Sequence, residues 1–278
     1  MRIVGILAAS LVLAFAGACG GSDHMSDSRT MNGTVMMSPV SGGTVACYAL
    51  NPDGTMGAMM ASAMTDASGG FSMSMPEGFS GPAMLVCSGG QYAEEYGGTV
   101  VGSPQILCGI PNYSGGMMTV AMTPFTTMAC QLALNAGGYT PQNLVNAMAA
   151  MSAYCGLDVM STMPMDAMQP MGMMGMGSQT QVDYGLLMGA MSAMASSMGI
   201  SSSQLMMMAM EDLTDGDFDG MGMSGQVMNP ISGGPMDPAT MTTMMSSMVG
   251  TFAGSAWNVG GGSPSTMMMN SLMNGVMP

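Results

Sequence analysis

Hydrophobic and polar residues alternate in short runs along the first part of the chain. The alternation is clear in residues 44–50, 71–75 and 84–87, and a period of two residues is typical of strands with one buried face. Turn-forming sequences such as Asn51-Pro52-Asp53-Gly54 lie between these runs. Strands that recur about every ten residues predict a small antiparallel β-sandwich over residues 31–108.

The pattern changes to a helical one after residue 108. Thr123-Pro124, Thr140-Pro141 and Asp237-Pro238 each place a capping residue before proline, which favours the first helical position. Ser201 and Gln204 have the spacing of a capping box. We therefore expect helices to begin at these four places.

Apolar residues at helical spacing follow these start signals, and we expect them to form the buried faces of a helical domain over residues 109–252. The residues that form these faces are Leu144, Met148, Met151, Cys155, Tyr184, Leu187, Met188, Met191, Met194, Met198, Met241, Met244, Met245, Met248 and Phe252. A flexible tail rich in Gly and Met is predicted over residues 253–278. The order of elements indicates an α+β fold, with a small antiparallel β-sandwich followed by a helical domain.

The N-terminus has the layout of an export signal. Arg2 precedes an apolar run of about fourteen residues, which is too short to span a bilayer. Ala16-Gly17-Ala18-Cys19 resembles the lipobox of bacterial lipoproteins. The resemblance implies a signal peptide over residues 1–18, a lipidated Cys19 and a tether over residues 19–30. Ordinary cleavage near Ala18 is the alternative.

The residue after Cys19 bears on the destination of such a lipoprotein. No Asp follows Cys19, and in a Gram-negative cell its absence favours the outer membrane or cell surface over the inner membrane. The expected partner is therefore a membrane, reached through the lipid anchor.

Three segments of the predicted sandwich resemble a known family. Gly33-Thr34-Val35, residues 39–49 and residues 65–71 are similar to the carboxypeptidase regulatory-like, transthyretin-type β-sandwich of surface lipoproteins. In such lipoproteins a helical segment with an Asp-Gly-rich stretch often follows. The resemblance implies a non-catalytic module for display or adhesion, and it indicates a fold better than a ligand.

Charge excludes two classes of partner. The chain has sixteen carboxylates, two cationic side chains and a formal net charge of −14. Nucleic acids and anionic lipid surfaces are bound through Lys and Arg, so we expect neither to be bound directly. Small cations are the partners that this charge favours.

The residues needed for catalysis are scarce, and we do not expect the protein to be an enzyme. The single histidine, His24, lies in the predicted tether, and no lysine occurs that could replace it as a base. Glu94 and Glu95 are adjacent carboxylates that could in principle act as acid and base, but neighbours on a turn indicate solvated surface.

An acidic loop over residues 212–220 is a candidate calcium site. Asp215, Asp217 and Asp219 occupy alternate positions before Gly220, as at the start of an EF-hand loop, and Glu211 or Asp212 could add ligands. The twelfth position is Gln226 rather than a bidentate Glu. The alternative is a solvated acidic turn.

The chain contains 47 methionines, and one group of them is a candidate soft-metal site. Pro and Gly interrupt residues 160–177, so helical core packing does not explain the methionines there. Neutral thioethers suit Cu(I) or Ag(I), although copper-binding segments often include histidine. The predicted ligands are Met160, Met163, Met165, Met168, Met171, Met173, Met174 and Met176.

The abundance of methionine is also compatible with two causes unrelated to metal binding. The thioethers could be sacrificial oxidant traps that a reductase restores, or their number could reflect residue usage in the lineage.

Five cysteines follow Cys19, an odd number that leaves one unpaired or pairs it between chains. Cys47 with Cys87, and Cys130 with Cys155, are the pairings we consider, although the sequence does not determine the connectivity. Two functions are thus predicted: a structural or adhesive surface module, and a lipoprotein that binds or sequesters a soft metal.

Overall fold

A computed structural model of the chain describes residues 29–170, 177–216, 218–228, 233–234 and 238–275. The fold is α+β, as predicted: strands occupy the N-terminal part and helices follow. The lipidation candidate Cys19 lies outside the described residues.

Two sheets form the sandwich. The smaller has the order β4-β1-β9, and its strands are β1 (Thr30–Val35), β4 (Gly70–Ser74) and β9 (Met118–Met122). The larger has the order β3-β2-β5-β8, and its strands are β2 (Thr44–Leu50), β3 (Met56–Met64), β5 (Gly81–Ser88) and β8 (Ile106–Tyr113). A hairpin of β6 (Gln91–Ala93) and β7 (Val100–Gly102) lies beside them, bridged to Ser41.

The sandwich extends beyond its predicted boundary. Residue 108 lies inside β8, and the last strand of the sandwich, β9, ends at Met122. The predicted antiparallel arrangement holds throughout the larger sheet, but β9 pairs with β1 in parallel, with Met31 opposite Met118. The pairing of residues so far apart in sequence depends on tertiary structure, which a local pattern does not encode.

Four of the six described helices begin where the capping signals predict, and the helices that begin at Gln179 and Thr266 were not predicted from such signals. They are α1 (Pro124–Asn135), α2 (Pro141–Cys155), α3 (Gln179–Ser197), α4 (Ser202–Asp212), α5 (Pro238–Ala253) and α6 (Thr266–Asn274). Thr123 and Ser201 each form a capping box, at α1 and α4. Gly156 ends α2 with φ of 69°, a conformation that favours glycine.

Helices α1 and α2 cover the outer face of the larger sheet at β8. A Cβ at Gly109 of β8 would collide with Leu144 of α2, so glycine permits the close approach. The centre of α3 is buried on every side, as expected of a helix surrounded by protein. One continuous hydrophobic core runs from the sandwich into the helices.

The predicted helical faces are buried, with Met244 and Met248 only partly so. The expected flexible tail is wrong for Thr266–Asn274, which form the nine residues of α6. Met268 and Leu272 of α6 are fully buried, and Ser265 caps the helix. Burial of this face supplies stability that a short helix lacks on its own.

Both disulfides we considered are absent, since Cys47, Cys87, Cys108, Cys130 and Cys155 are all free and buried. Strand register explains the first case. Cys47 lies opposite Leu85, and Cys87 lies opposite Val45, so these two thiols are diagonal neighbours. Directly opposite residues, by contrast, have the shorter separation that a disulfide requires.

Candidate functional site

The described part of the methionine-rich segment packs against the protein. Met160 and Met163 lie partly buried on the main core, and the Thr34 hydroxyl donates to Met163 Sδ at 3.4 Å. Met165 is buried near Gly185 of α3. We expected that core packing does not explain the methionines of this segment, and for these three residues that expectation is wrong. Methionine side chains are long and flexible, so they reach the core even from a segment that forms no helix.

The remaining predicted thioethers divide into two groups. Met168 is partly buried after a turn in which its backbone N–H donates to Asp166. The other four fall outside the described residues, so the soft-metal site as a whole stays a prediction; they are Met171, Met173, Met174 and Met176.

Two thioether side chains from distant parts of the sequence line one groove. Met163 and Met64 line an open groove of about 450 Å³ together with Thr34 and Asp66. A second groove, of about 500 Å³, lies between α4 and the short β10–β11 hairpin (Met221–Gly222 and Gly225–Gln226). Its thioethers are Met207, Met208 and Met228.

The acidic loop is arranged around Asp212 rather than around its alternating aspartates. Asp212 is fully buried and accepts the backbone N–H groups of Asp219 at 3.1 Å and Gly220 at 3.0 Å. Burial raises the pKa of its carboxyl to about 6, although these hydrogen bonds oppose the shift.

The predicted calcium ligands are not brought into one cage within the described residues. Asp215 ends a 3₁₀ turn and Asp219 accepts the Met221 N–H at 2.8 Å; both are exposed. Asp217 lies outside the described residues. In the part of the chain that is described, no group of three or more His, Cys, Asp or Glu could hold a metal ion, so calcium stays a prediction.

Strand β3 forms an exposed edge of the larger sheet. In the described structure it pairs only with β2, and its register with β2 shifts twice along the strand, between Cys47 and Tyr48 and between Tyr48 and Leu50. The nine residues of β3 include no charged side chain. Met56, Met59 and Met64 are 44% to 68% exposed, so a long apolar edge faces solvent.

The Glu94–Glu95 pair is buried, which corrects our expectation of solvated surface. Glu94 is 7% exposed and Glu95 is fully buried. The two residues lie in the turn between β6 and β7, which packs against helices that follow about a hundred residues later. Only that long-range packing buries the pair, so no local pattern indicates it.

Glu94 has a complete set of hydrogen-bond donors. Ser192 of α3 donates its hydroxyl at 2.8 Å, and Tyr92 donates its own at 3.1 Å. The backbone N–H of Ser202, at the N-terminus of α4, donates at 2.8 Å, and the Ser202 hydroxyl also donates. A carboxylate at a helix N-terminus is favoured by the helix dipole, so Glu94 joins the hairpin to both helices.

Glu95 has no such partners. Both of its carboxyl oxygens are buried without a hydrogen bond. Burial raises the pKa of Glu95 well above its usual range, and the nearby carboxylates of Asp166 and Glu94 raise it further. A buried charge without a partner is costly, so the neutral form is favoured.

Comparison with known proteins identifies no family for this chain. The sequence matches no protein-family model and no curated protein. Among the described helices, none combines the length and hydrophobicity needed to cross a bilayer.

Proposed function

We propose that this protein is a non-catalytic lipoprotein, anchored through Cys19 at the outer membrane or cell surface, that acts as a structural or adhesive module. The observation that carries the proposal is the uncharged, exposed edge of β3. We propose that this edge pairs with β3 of a second copy. The resemblance of the sandwich to surface lipoprotein modules agrees with this role.

The edge of β3 lacks most of the features that keep strands apart. Natural edge strands are protected by charged residues, proline, bulges or covering segments. β3 has neither charge nor proline, although its register with β2 shifts twice, between Cys47 and Tyr48 and between Tyr48 and Leu50. An edge of this length without charge or proline offers backbone hydrogen-bonding groups to another strand.

Anchoring favours a second copy as the partner, and charge restricts the surfaces through which two copies can meet. Two chains of net charge −14 repel each other, so they approach most easily across a surface without carboxylates. Antiparallel pairing of identical strands is also compatible with a two-fold axis. Lipid anchoring confines both copies to one surface, which raises their effective concentration.

Anchoring is tested by changing the predicted lipidation site. The chain produced in cells fed a labelled fatty acid is expected to carry the label and to partition with membranes. The Cys19→Ala chain is expected to do neither. Membrane partitioning of the variant equal to that of the parent would show that Cys19 is not the anchor.

Association is tested by sedimentation velocity over a range of protein concentrations. Met59→Glu with Met64→Glu adds charge to the edge and is expected to leave a monomer where the parent forms a dimer. Met117→Glu with Met223→Glu is the matched control, since these side chains are 71% and 80% exposed away from β3. A parent chain that stays monomeric at every concentration rules out self-pairing.

Salt gives a second test of the same association. Asp53 and Asp66 lie just outside the two ends of β3, and antiparallel pairing brings Asp53 of one copy towards Asp66 of the other. Screening of this repulsion is expected to strengthen the dimer as ionic strength rises. Weakening by salt would contradict the pairing.

Soft-metal binding is a second candidate function, favoured by the meeting of Met163 and Met64 in one groove. Cu(I) titration against a competing chelator is expected to show binding that is lost when the eight predicted ligands are changed to Leu. Changing eight methionines elsewhere to Leu is the control. Near-zero stoichiometry, or equal loss in both variants, would reject the site.

A further inference from the structure

The turn between β6 and β7 joins the sandwich to the helices. We call residues 94–98 the clasp turn. The Glu94 N–H donates to Thr99 O at 2.8 Å, and the Gly98 N–H donates to Glu94 O at 2.9 Å, so the turn has its own backbone structure. Its Tyr96 N–H donates to the Ser192 hydroxyl of α3 at 3.0 Å.

Aromatic contacts hold the outer side of the clasp turn. Tyr96 lies 6.5 Å from Trp257, measured between ring centroids, with the rings tilted. Tyr96 also packs on a small hydrophobic cluster that includes Met165 and Phe252. The clasp turn therefore contacts α3, α4, the connection between α2 and α3, and the segment after α5.

The two carboxyl groups of the clasp turn differ in their surroundings. Glu94 is satisfied by four donors from the hairpin and the helices. Glu95 is equally deep but unpartnered at both oxygens. The fold thus provides partners for a negative charge on Glu94 and none for a charge on Glu95.

Every charged group around Glu95 has the same sign. Glu94 contributes from the clasp turn itself, and Asp166 contributes from the connection between α2 and α3. Asp183 of α3 is occupied by the Gln179 side chain and the Ser265 N–H. The only cationic side chain of the described residues is Arg29, which directly precedes β1.

We propose that the clasp turn is an acid-favoured lock, which holds the β6–β7 hairpin against the helices while Glu95 is protonated and loosens as Glu95 ionises. The ionised form places a further, unpartnered charge in a junction already occupied by Glu94 and Asp166. Moving the clasp turn outward lets water reach Glu95 and relieves that repulsion.

The direction of the pH dependence follows from linkage. Glu95 is protonated more readily in the folded than in the unfolded chain, where its pKa is about 4.3. Its stabilising contribution is therefore complete below about pH 4.3 and is lost as pH rises towards the folded value. Over that range the folding equilibrium constant falls by up to tenfold per pH unit for this one proton.

The first test compares unfolding by urea between pH 4.5 and pH 8 for the parent, Glu95→Gln and Glu77→Gln. The Gln side chain at 95 keeps the shape but does not ionise, so its variant is expected to lose less stability with pH. Glu77 is exposed in a sandwich turn, so its variant is expected to follow the parent. Parallel curves for the parent and Glu95→Gln would overturn the proposal.

The second test needs no substitution. Hydrogen exchange of the Tyr96 amide in the parent chain, corrected for its intrinsic pH dependence, is expected to lose protection as pH rises from 4.5 to 8. Amides in the centre of α3 are the internal control and are expected to lose less. Constant Tyr96 protection, or equal loss in α3, would overturn the lock even if Glu95→Gln did not fold.

Discussion

Gly189 lies at a close contact between α3 and α5, and its replacement gives a sharp test of this packing. A Cβ at position 189 would overlap three ring atoms of Phe252, which is fully buried in α5. Ala in place of Gly in a helix contributes about 1 kcal/mol of stability. Overpacking of a buried site costs about 1–3 kcal/mol. The structure therefore predicts that Gly189→Ala lowers the free energy of unfolding by up to about 2 kcal/mol.

The same change is expected to have the opposite sign when the ring is absent. Phe252→Ala alone is expected to cost about 3–5 kcal/mol, because it leaves a cavity. Adding Gly189→Ala to that variant removes the overlap and keeps the helical gain, so it is expected to restore up to about 1 kcal/mol. The coupling between the two sites is then about 1–3 kcal/mol, which is the range for residues in contact.

Urea unfolding of the parent, both single variants and the double variant measures this coupling. Gly250→Ala is the control, since a Cβ there meets no neighbour within 4 Å and the residue lies in α5, the helix that carries Phe252. The control is expected to be neutral or stabilising. An equal effect of Gly189→Ala with and without the Phe252 ring would refute the contact.

Three further predictions test other parts of the structure. Leu272→Ala is expected to destabilise the protein by about 2–5 kcal/mol, because Leu272 is buried where α6 packs on the core. Met267→Ala, at a 63% exposed position of the same helix, is expected to change stability by less than about 0.5 kcal/mol. Equally small effects of both changes would mean that α6 does not pack on the core. All five buried thiols are expected to resist a thiol-reactive disulfide reagent at pH 8 until urea is added. Burial raises the pKa of Cys47 and Cys87 to about 11 and that of Cys130 to about 12, which disfavours the reactive thiolate. Rapid reaction of the native chain would contradict their burial. Asp212 is expected to titrate near pH 6, so its stabilising contribution falls as pH rises from about 4 to about 6. In Asp212→Asn, the free energy of unfolding is therefore expected to change less with pH over that range. A pH dependence equal to that of the parent would contradict the raised pKa.

The helix starts were predictable from sequence because capping is local. At Thr123 and Ser201, each cap bonds a residue three positions later, so the information lies within one turn of helix. The sandwich strands were predictable in kind for a similar reason, since alternation with a period of two residues marks a buried face. The net charge was also predictable from the sequence, because it follows from the numbers of acidic and basic residues.

Long-range packing decided the rest. The same composition that predicted a flexible tail forms α6, because Met268 and Leu272 find a core to bury against. Met160, Met163 and Met165 lie in segments that do not form a helix, yet they pack against the core and α3. Neither outcome follows from residue order alone, because burial depends on neighbours distant in sequence.

The sequence by itself determined the fold class, four of the helix starts and the strongly negative charge, all of which depend on composition or on neighbours a few positions apart. Tertiary structure alone decided the parallel β1–β9 pair, the reduced thiols and the exposed edge of β3. It also separated Glu94 from Glu95, two identical residues adjacent in the chain. One meets four donors and the other meets none, because helices about a hundred residues away supply three of the four donors.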